Sequence, residues 1–279
     1  MWAATGTIPH MPDKIATRTL QQMKAQGQRI VAVTAYDYPS AQLADAAGVD
    51  VILVGDSVAN TVLGYETTLP VRMETMLHHL QAARRGVQRA LLVADMPFLS
   101  YGVSVDDAVY NAGALMQAGA EAVKVEGTSP RVLESIRAMV GVGIPVMAHL
   151  GLTPQSIHQF GGYRLQGRTA SEQEMLLQAA QAVQEAGAFS LVLEVIPASL
   201  AKRITESVPI PTIGIGAGVH CDGEIQVWHD ILGLSERSFK HTKRYAELRK
   251  VILNALRQYA DEVRQRQFPT PAQSFEVDK

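Results

Sequence analysis

Residues 47–57 read AGVDVILVGDS, so a helix end, a short run of aliphatic residues and a polar turn follow one another directly. A glycine such as Gly48 suits the left-handed backbone at which many helices end. The run from Val51 to Val54 is apolar at every position, which is typical of a strand covered on both faces. The stretch therefore predicts one repeating unit of a parallel sheet with crossover helices.

The same order recurs along the chain, most closely at Ala118-Gly119-Ala120-Glu121 and Ala186-Gly187-Ala188-Phe189. Short apolar runs alternate with longer stretches of helical period, as expected for parallel strands joined by helices. Eight such units in about 250 residues predict an α/β fold, a single (β/α)8 TIM-type barrel, rather than two domains. The predicted strands are Ile30 to Ala35, Val51 to Val54, Ala90 to Ala94, Ala122 to Val125, Pro145 to Ala148, Ser190 to Leu193, Pro211 to Ile215 and Ile225 to Trp228.

Helix boundaries carry their own signals. Ser129 before Pro130, and Ser104 three residues before Asp107, predict N-caps. Glycines after helical stretches predict left-handed helix ends at Gly48, Gly86, Gly119 and Gly187.

The barrel is predicted to occupy residues 1–279 as one domain, with an N-terminal arm at 1–14 and an irregular tail at 268–279. The first residues carry prolines and a glycine but no basic start followed by an apolar run, so they do not resemble a secretory signal. The stretch from Lys240 to Arg266 mixes basic and acidic residues, which predicts a solvated helix face.

Composition excludes several classes of function. The 25 basic and 27 acidic residues give a net charge of −2, so no nucleic-acid partner is expected. Hydrophobic residues make up 47% of the chain, but no stretch reaches the roughly 18 apolar residues of a membrane span, so no membrane partner is expected. The single cysteine, Cys221, forms no internal disulfide and no thiolate metal cage, which favours a reducing, cytoplasmic location.

Polar residues follow the predicted strands. In a TIM-type barrel the chemistry lies at the carboxyl ends of the strands, so side chains there are expected to converge. Successive strands from the second to the sixth end in ionisable residues, namely Asp56, Asp95, Lys124 with Glu126, His149 and Glu194.

Each of these residues also has a purely structural interpretation. Asp56 could cap a turn, Asp95 could bond backbone, and Glu126 could pair with Lys124. A lone His149 is more often a satisfied interior histidine than a ligand. Taken together, however, several carboxylates at one barrel mouth repel each other unless a cation or protons intervene, and carboxylate oxygens suit Mg²⁺ better than zinc.

Other patterns are weaker. The stretch Gly214-Ile215-Gly216-Ala217-Gly218 resembles a phosphate loop but does not match the dinucleotide fingerprint, so close packing at the barrel mouth is favoured. His78 and His79 are predicted on an outward helix face. Cys221 is interpreted as structural or incidental.

These strand-end phrases resemble the ketopantoate hydroxymethyltransferase family over roughly Ile15 to Leu234. The phrases are Val33-Thr34-Ala35-Tyr36-Asp37-Tyr38-Pro39, Val54-Gly55-Asp56-Ser57, Ala94-Asp95-Met96-Pro97-Phe98, Val123-Lys124-Val125-Glu126-Gly127, His149-Leu150-Gly151-Leu152-Thr153-Pro154-Gln155-Ser156 and Pro211-Thr212-Ile213-Gly214-Ile215-Gly216-Ala217-Gly218. The resemblance implies transfer of a hydroxymethyl group from 5,10-methylenetetrahydrofolate to 3-methyl-2-oxobutanoate, through a Mg-stabilised enolate. The products are 2-dehydropantoate, a precursor of pantothenate and coenzyme A, and tetrahydrofolate.

The resemblance also implies roles for residues. Asp56 and Asp95 are the expected Mg²⁺ ligands, and Glu126 completes the metal site directly or through water. Substrate contacts are expected from Asp56, Ser57, Asp95, Lys124 and His149. Glu194 is the expected catalytic base, and the family implies a homodecamer.

Three alternatives stay open at this point. Lys124 at a strand end could form a Schiff base, which would make the protein a metal-free aldolase. The phosphoenolpyruvate mutase and isocitrate lyase group has a similar barrel and magnesium site, but its strand-end cysteine has no counterpart in this sequence. A non-catalytic barrel that binds a 2-oxo acid or a protein is the third alternative, and Glu194 argues against it because binding alone requires no base.

Overall fold

The structure is a computed structural model that describes residues 14–236 and 239–276. The predicted arm at 1–14 therefore lies outside the described residues except for Lys14. The Lys14 ammonium donates to the carbonyl oxygen of Ala90 at 2.6 Å and lies 2.7 Å from a carboxylate oxygen of Glu121. Residue 14 is thus anchored to the barrel.

Eight parallel strands close into a barrel in chain order, which confirms the predicted TIM-type fold. The strands are Ile30–Thr34 (β1), Val51–Val54 (β2), Leu91–Asp95 (β3), Ala122–Glu126 (β4), Val146–Gly151 (β5), Ser190–Glu194 (β6), Thr212–Ile215 (β7) and Gly223–Gln226 (β8). Every strand pairs with its neighbours in parallel, so all carboxyl ends meet at one rim.

Helices lie between most of the strands, and the predicted N-caps are confirmed. The side chains of Ser104 and Ser129 accept hydrogen bonds from the backbone of Asp107 and Val132. The helices are Thr17–Ala25 (α1), Tyr38–Ala46 (α2), Val58–Thr61 (α3), Met73–Arg84 (α4), Val105–Gln117 (α5), Pro130–Gly141 (α6), Ile157–Phe160 (α7), Ala170–Glu185 (α8), Ala198–Ser207 (α9), Trp228–Ile231 (α10) and Leu248–Arg264 (α11). One-turn 3₁₀ helices cover Pro154–Ser156 and Pro271–Gln273.

One of the four predicted left-handed helix ends is wrong in its conformation, although α4 does end at Arg84, just before Gly86. Gly48, Gly119 and Gly187 have positive φ angles of 83°, 109° and 101°, but Gly86 is not in the left-handed region. A Cβ atom on Gly86 would lie 2.6 Å from the carbonyl oxygen of Tyr38. Glycine is needed there because α2 packs against this backbone, and local sequence carries no signal of that contact.

Alternate residues of the strands fill the barrel interior, because successive side chains of a strand point to opposite faces. The interior cluster contains Leu20 of α1 together with residues from all eight strands, so α1 covers the amino-terminal end of the barrel. Four strands continue from this apolar interior to polar residues on the same face: Val93 to Asp95, Ala122 to Lys124 and Glu126, Met147 to His149, and Val192 to Glu194.

Strand ends differ from the sequence-based bounds. Four strands, β3, β4, β5 and β6, run through the polar residues predicted just after their apolar runs, namely Asp95, Glu126, His149 and Glu194. Strand β8 ends at Gln226, two residues before its expected end at Trp228. Backbone pairing with the neighbouring strand holds these polar residues within the sheet, as in the register of Asp95 with Lys124.

The chain divides into two compact units, residues up to 228 and from 229 onward. The first unit contains the whole barrel. The second contains α11, in which no side chain is buried, as predicted for a solvated face, although Val251, Leu256 and other apolar residues are also exposed. The assignment of residues 1–279 to one domain stays a prediction.

The C-terminal tail predicted at 268–279 is described only as far as residue 276, and its one regular element there is the 3₁₀ turn Pro271–Gln273. Within residues 14–236 and 239–276, no helix combines the length and apolar character needed to cross a bilayer.

Candidate active site

The ionisable residues predicted at strand ends lie together at the carboxyl-terminal rim of the barrel. Five of them, Asp56, Asp95, Lys124, Glu126 and His149, are buried. The side chain of Glu194 is 16% exposed, compared with 3% for His149. Glu194 is therefore the member of the cluster that can most readily meet a molecule entering from solvent.

Asp95 joins two neighbouring strand ends. One of its carboxylate oxygens, Oδ1, lies 2.6 Å from Nζ of Lys124. The other, Oδ2, accepts a hydrogen bond of 2.9 Å from the backbone N–H of Asp56. The Asp95 side chain is thereby fixed between β2 and β4, and it draws the Lys124 ammonium to the same place.

Negative charge exceeds positive charge around Lys124. Burial, reinforced by the charges of Asp95 and Glu126, raises the pKa of Asp56 to about 8. Burial also raises the pKa of Asp95, against the opposing effect of Lys124. Burial by itself would lower the pKa of Lys124, but the surrounding carboxylates outweigh it and hold that pKa above its usual value. An added cation would relieve this excess of carboxylate charge.

His149 links two carboxylates. Its Nδ1 lies 3.3 Å from Oε1 of Glu126, and its Nε2 lies 3.2 Å from Oε2 of Glu194. Burial and the Lys124 charge lower the pKa of His149, but its contacts with Glu126 and Glu194 outweigh them and raise it to about 9. A protonated imidazole can donate from both nitrogens, so His149 is suited to hold the Glu194 carboxylate in place.

Two buried residues that the sequence did not single out complete the polar network. Nε2 of Gln155 donates to Oδ2 of Asp56 at 2.9 Å, and its backbone N–H donates to Oε2 of Glu126 at 3.0 Å. The hydroxyl of Tyr101 contacts both Gln155 and the backbone of Glu126. Gln155 lies in a segment already quoted for the family resemblance, whereas Tyr101 carries no sequence signal of its role.

Ser57 lies at the edge of this network and is half-buried. Its hydroxyl is 2.8 Å from the hydroxyl of Tyr36, which follows β1. Nδ1 of His79 lies 2.6 Å from the carbonyl oxygen of Tyr36. His78 is exposed as predicted, but the prediction that His79 faces outward is wrong, because its ring is turned toward the loop after β1.

The backbone around Glu194 is tightly held. Gly151 has a φ of 92°, and a Cβ there would lie only 2.2 Å from the carbonyl oxygen of Glu194, which accepts a hydrogen bond from Leu152. Val195 has a φ of 47°, an uncommon conformation for a β-branched residue. Its N–H donates to the carbonyl oxygen of Ile215 at 2.9 Å. Neighbours on β5 and β7 thus determine where β6 stops and Glu194 projects.

The donor atoms of this site fit a divalent cation that prefers oxygen. Oδ1 of Asp95 and Oε1 of Glu126 are fully buried, and their contacts in the described residues are ion pairs rather than well-directed hydrogen bonds. No three His, Cys, Asp or Glu side chains in the described part of the chain form a complete metal cage. Asp56 and Asp95 would therefore need oxygens of water or substrate to complete the coordination shell.

The glycine loop after β7 packs closely, as the sequence favoured. A Cβ on Gly218 would lie 2.5 Å from the Cβ of Ala198, the first residue of α9. Cys221 is buried just before β8 begins, which is the amino-terminal end of that strand. Neither feature belongs to the polar cluster.

Comparisons with known proteins agree with this architecture. A sequence model of the ketopantoate hydroxymethyltransferase family matches residues 14–271. The chain is 55% identical over 264 residues to a Moorella thermoacetica protein named 3-methyl-2-oxobutanoate hydroxymethyltransferase, covering 94% of this chain and 98% of that protein. It is 52% identical over 265 residues to the protein of that name from Carboxydothermus hydrogenoformans, covering 94% and 96%.

Solved structures with low sequence identity share the fold. Phosphonopyruvate hydrolase in complex with oxalate and Mg²⁺ superposes with a TM-score of 0.59 at 16% identity, covering 94% of this chain and 92% of that one. A 2,3-dimethylmalate lyase, described as a member of the PEP mutase/isocitrate lyase superfamily, gives 0.58 at the same identity and coverage. At this identity the likeness concerns the barrel alone.

Proposed function

This chain belongs to the ketopantoate hydroxymethyltransferase family, and on that basis we propose that it transfers a hydroxymethyl group from 5,10-methylenetetrahydrofolate to 3-methyl-2-oxobutanoate. The products are 2-dehydropantoate and tetrahydrofolate, on the route to pantothenate. The observation that carries the proposal is the continuous run of contacts from Asp56 through Asp95, Lys124 and His149 to Glu194. This run of contacts joins the buried carboxylates of Asp56 and Asp95 to the more exposed carboxylate of Glu194.

The two ends of this run suit two tasks. Asp56 and Asp95 would hold Mg²⁺, and Glu126, already engaged by Gln155 and His149, would support it through water. Bound Mg²⁺ would supply Lewis-acid stabilisation of the negative charge that develops on the oxygens of the 2-oxo acid. Lys124 adds a fixed positive charge for the same oxygens.

Glu194 is the proposed base that removes the proton from C3 of the substrate. A C–H beside a ketone is a weak acid, so a base must be held within reach of C3 when the substrate is bound. Glu194 is more exposed than the carboxylates around Lys124, and His149 together with the Gly151 backbone restricts its position. Ser57, whose hydroxyl lies 2.8 Å from that of Tyr36, would contact the carboxylate or carbonyl oxygen of the substrate.

The Schiff-base alternative is disfavoured by the surroundings of Lys124. A lysine must lose its proton before its nitrogen can attack a carbonyl carbon. The carboxylates around Lys124 raise its pKa, and Asp95 lies 2.6 Å from Nζ. Lys124 is therefore best suited to act as a permanent cation.

The remaining alternatives make different demands on residues. The phosphoenolpyruvate mutase and isocitrate lyase alternative needs a cysteine at the carboxyl end of a strand, whereas Cys221 lies at the amino-terminal end of β8. A barrel that only binds its ligand would not need an accessible carboxylate held as firmly as Glu194. The assembly of ten copies implied by the family resemblance, and the cytoplasmic location inferred from the single cysteine, stay predictions.

One experiment tests the proposed function directly. The purified protein with Mg²⁺ and 3-methyl-2-oxobutanoate in heavy water is expected to exchange the C3 hydrogen, which NMR follows as a lost signal. Adding 5,10-methylenetetrahydrofolate should then give 2-dehydropantoate. If the substrate binds but neither exchange nor product is observed, the chain is a binding module and the proposal is wrong.

Mg²⁺ affinity is expected to depend on pH because the cation competes with a proton on Asp56. In the metal-free protein the pKa of Asp56 is about 8, so below pH 8 this carboxyl is largely protonated. Because Mg²⁺ must displace one proton from Asp56, its affinity is expected to rise about tenfold per pH unit from pH 6 to 8. Above pH 8 the affinity should level off. Isothermal titration calorimetry at constant ionic strength measures this, and an affinity that is flat from pH 6 to 8 would contradict the prediction.

Gly151→Ala is expected to misplace Glu194. The new Cβ would meet the carbonyl oxygen of Glu194 at 2.2 Å, and a displacement of about 1 Å can lower a rate by about 10²-fold. The matched control is Gly143→Ala, since Gly143 has a similar φ of 91° but nothing within 4 Å of the added Cβ. Thermal unfolding and C3–H exchange are measured for both variants. If both substitutions slow C3–H exchange equally, the backbone at Gly151 does not position Glu194.

A further inference from the structure

We propose that Gln155 is a positioning residue for the metal-holding carboxylate of Asp56, and that Tyr101 acts on this carboxylate through Gln155. The inference rests on the proposed function, because it assumes that Asp56 holds Mg²⁺. It assigns a role to two buried residues whose side chains the proposed reaction does not otherwise use.

Gln155 is held from several sides. It lies in the one-turn 3₁₀ helix Pro154–Ser156 after β5 and is 7% exposed. Its Nε2 donates to Oδ2 of Asp56 at 2.9 Å and to the carbonyl oxygen of Met96 at 3.0 Å. Both hydrogens of the amide group therefore have acceptors, and one of those acceptors is the Asp56 carboxylate.

The directions of the hydrogen bonds fix which way the Gln155 amide faces. The hydroxyl oxygen of Tyr101 accepts from the backbone N–H of Glu126 at 2.9 Å. The Tyr101 hydrogen is then donated to Oε1 of Gln155, 2.8 Å away, since that oxygen has no hydrogen of its own. A flipped amide would place N–H against Tyr101 and oxygen against the Asp56 carboxylate. Tyr101 thus keeps the donor side of Gln155 toward Asp56.

The hydrogen bonds from Tyr101 to Gln155 and from Gln155 to Asp56 constrain the metal site. They tie Oδ2 of Asp56 to protein, so the carboxylate cannot rotate freely, and its second oxygen is the one left for a cation. Removing a hydrogen-bonding partner behind a metal ligand typically lowers metal affinity by about 10- to 100-fold. If Gln155 only filled space and satisfied loop backbone, its loss would lower stability without a selective effect on Mg²⁺ binding.

The first test replaces Gln155 by Met, which has similar length but no amide. Mg²⁺ alone is titrated calorimetrically into the full chain at one fixed pH, and thermal unfolding is recorded without metal. Gln155→Met is expected to weaken Mg²⁺ binding by about 10- to 100-fold. The control is Ser190→Ala, which removes a fully buried hydroxyl that donates to the carbonyl oxygen of Pro211, and it should stay within about twofold of the parent in Mg²⁺ affinity.

The second test asks whether Tyr101 acts through Gln155. Tyr101→Phe in the parent is expected to weaken Mg²⁺ binding, but by less than Gln155→Met, because the Met96 carbonyl still holds the amide. In the Gln155→Met background the same change should add no further loss of Mg²⁺ affinity. If each substitution instead damaged the structure independently, the fold-losses of Mg²⁺ affinity caused by the two substitutions would multiply in the double variant.

The outcomes separate this inference from the function on which it rests. If Gln155→Met binds Mg²⁺ with an affinity within twofold of the parent, Gln155 does not position the Asp56 carboxylate. If that variant does not fold, Tyr101→Phe decides alone, and an unchanged Mg²⁺ affinity would overturn the inference. A parent protein that binds no Mg²⁺ would overturn the metal assignment itself, and the inference with it.

Discussion

Glu194→Gln is expected to slow exchange of the C3 hydrogen of 3-methyl-2-oxobutanoate by about 10²- to 10⁴-fold, the usual contribution of general acid–base catalysis. Glutamine keeps the size of glutamate and leaves a neutral amide near Nε2 of His149, which lies 3.2 Å from Oε2 of Glu194. It cannot take up a proton. Substrate and Mg²⁺ binding should persist, because Asp56, Asp95 and Lys124 are unchanged.

The control for this prediction is Glu121→Gln. Glu121 is another partly exposed glutamate in an ion pair, with Lys14, but it directly precedes β4 at the opposite end of the barrel from Glu194. Its replacement should leave the exchange rate within about twofold of the parent. If Glu194→Gln binds substrate and exchanges at the parent rate, Glu194 is not the base, and His149 becomes the next residue to test.

Asp95→Asn is expected to remove measurable turnover and to weaken Mg²⁺ binding by far more than tenfold, because one of two carboxylate ligands is lost. Without metal, the variant should unfold below the temperature of the parent, because the amide replaces the carboxylate oxygen that lies 2.6 Å from the buried Lys124 ammonium. Burial raises the pKa of Asp95, so the charged carboxylate is itself disfavoured there, and this offsets part of the loss of stability. The amide oxygen can still accept the hydrogen bond from the Asp56 backbone.

Thermal unfolding with and without Mg²⁺ measures both effects in one experiment. Mg²⁺ should raise the unfolding temperature of the parent but not of Asp95→Asn. The matched control is Asp50→Asn, since Asp50 is a buried aspartate paired with Arg89 at 3.1 Å before β2 begins. That variant should lose stability and keep its response to Mg²⁺. A full Mg²⁺ response in Asp95→Asn would contradict the assignment of Asp95 as a ligand.

The sequence was sufficient for the barrel and for the residue types at its rim. Uninterrupted apolar runs and glycine-ended helices are local properties, and parallel strands in chain order can only bring their carboxyl ends to one edge. Asp95, Lys124 and Glu194 could therefore be expected to meet although they are far apart along the chain. The family resemblance rests on the same strand-end phrases.

The contacts that make these residues a site were decided by the tertiary structure. The bonds from Gln155 to Asp56 and from Tyr101 to Gln155 join residues tens of positions apart, and they depend on how the loops after β3 and β5 pack. The close approach of Gly151 to Glu194 likewise depends on the register between β5 and β6. Local sequence determines which residues can form a strand or a turn, whereas loop packing and strand register determine which side chains touch, because those contacts form only when the barrel closes.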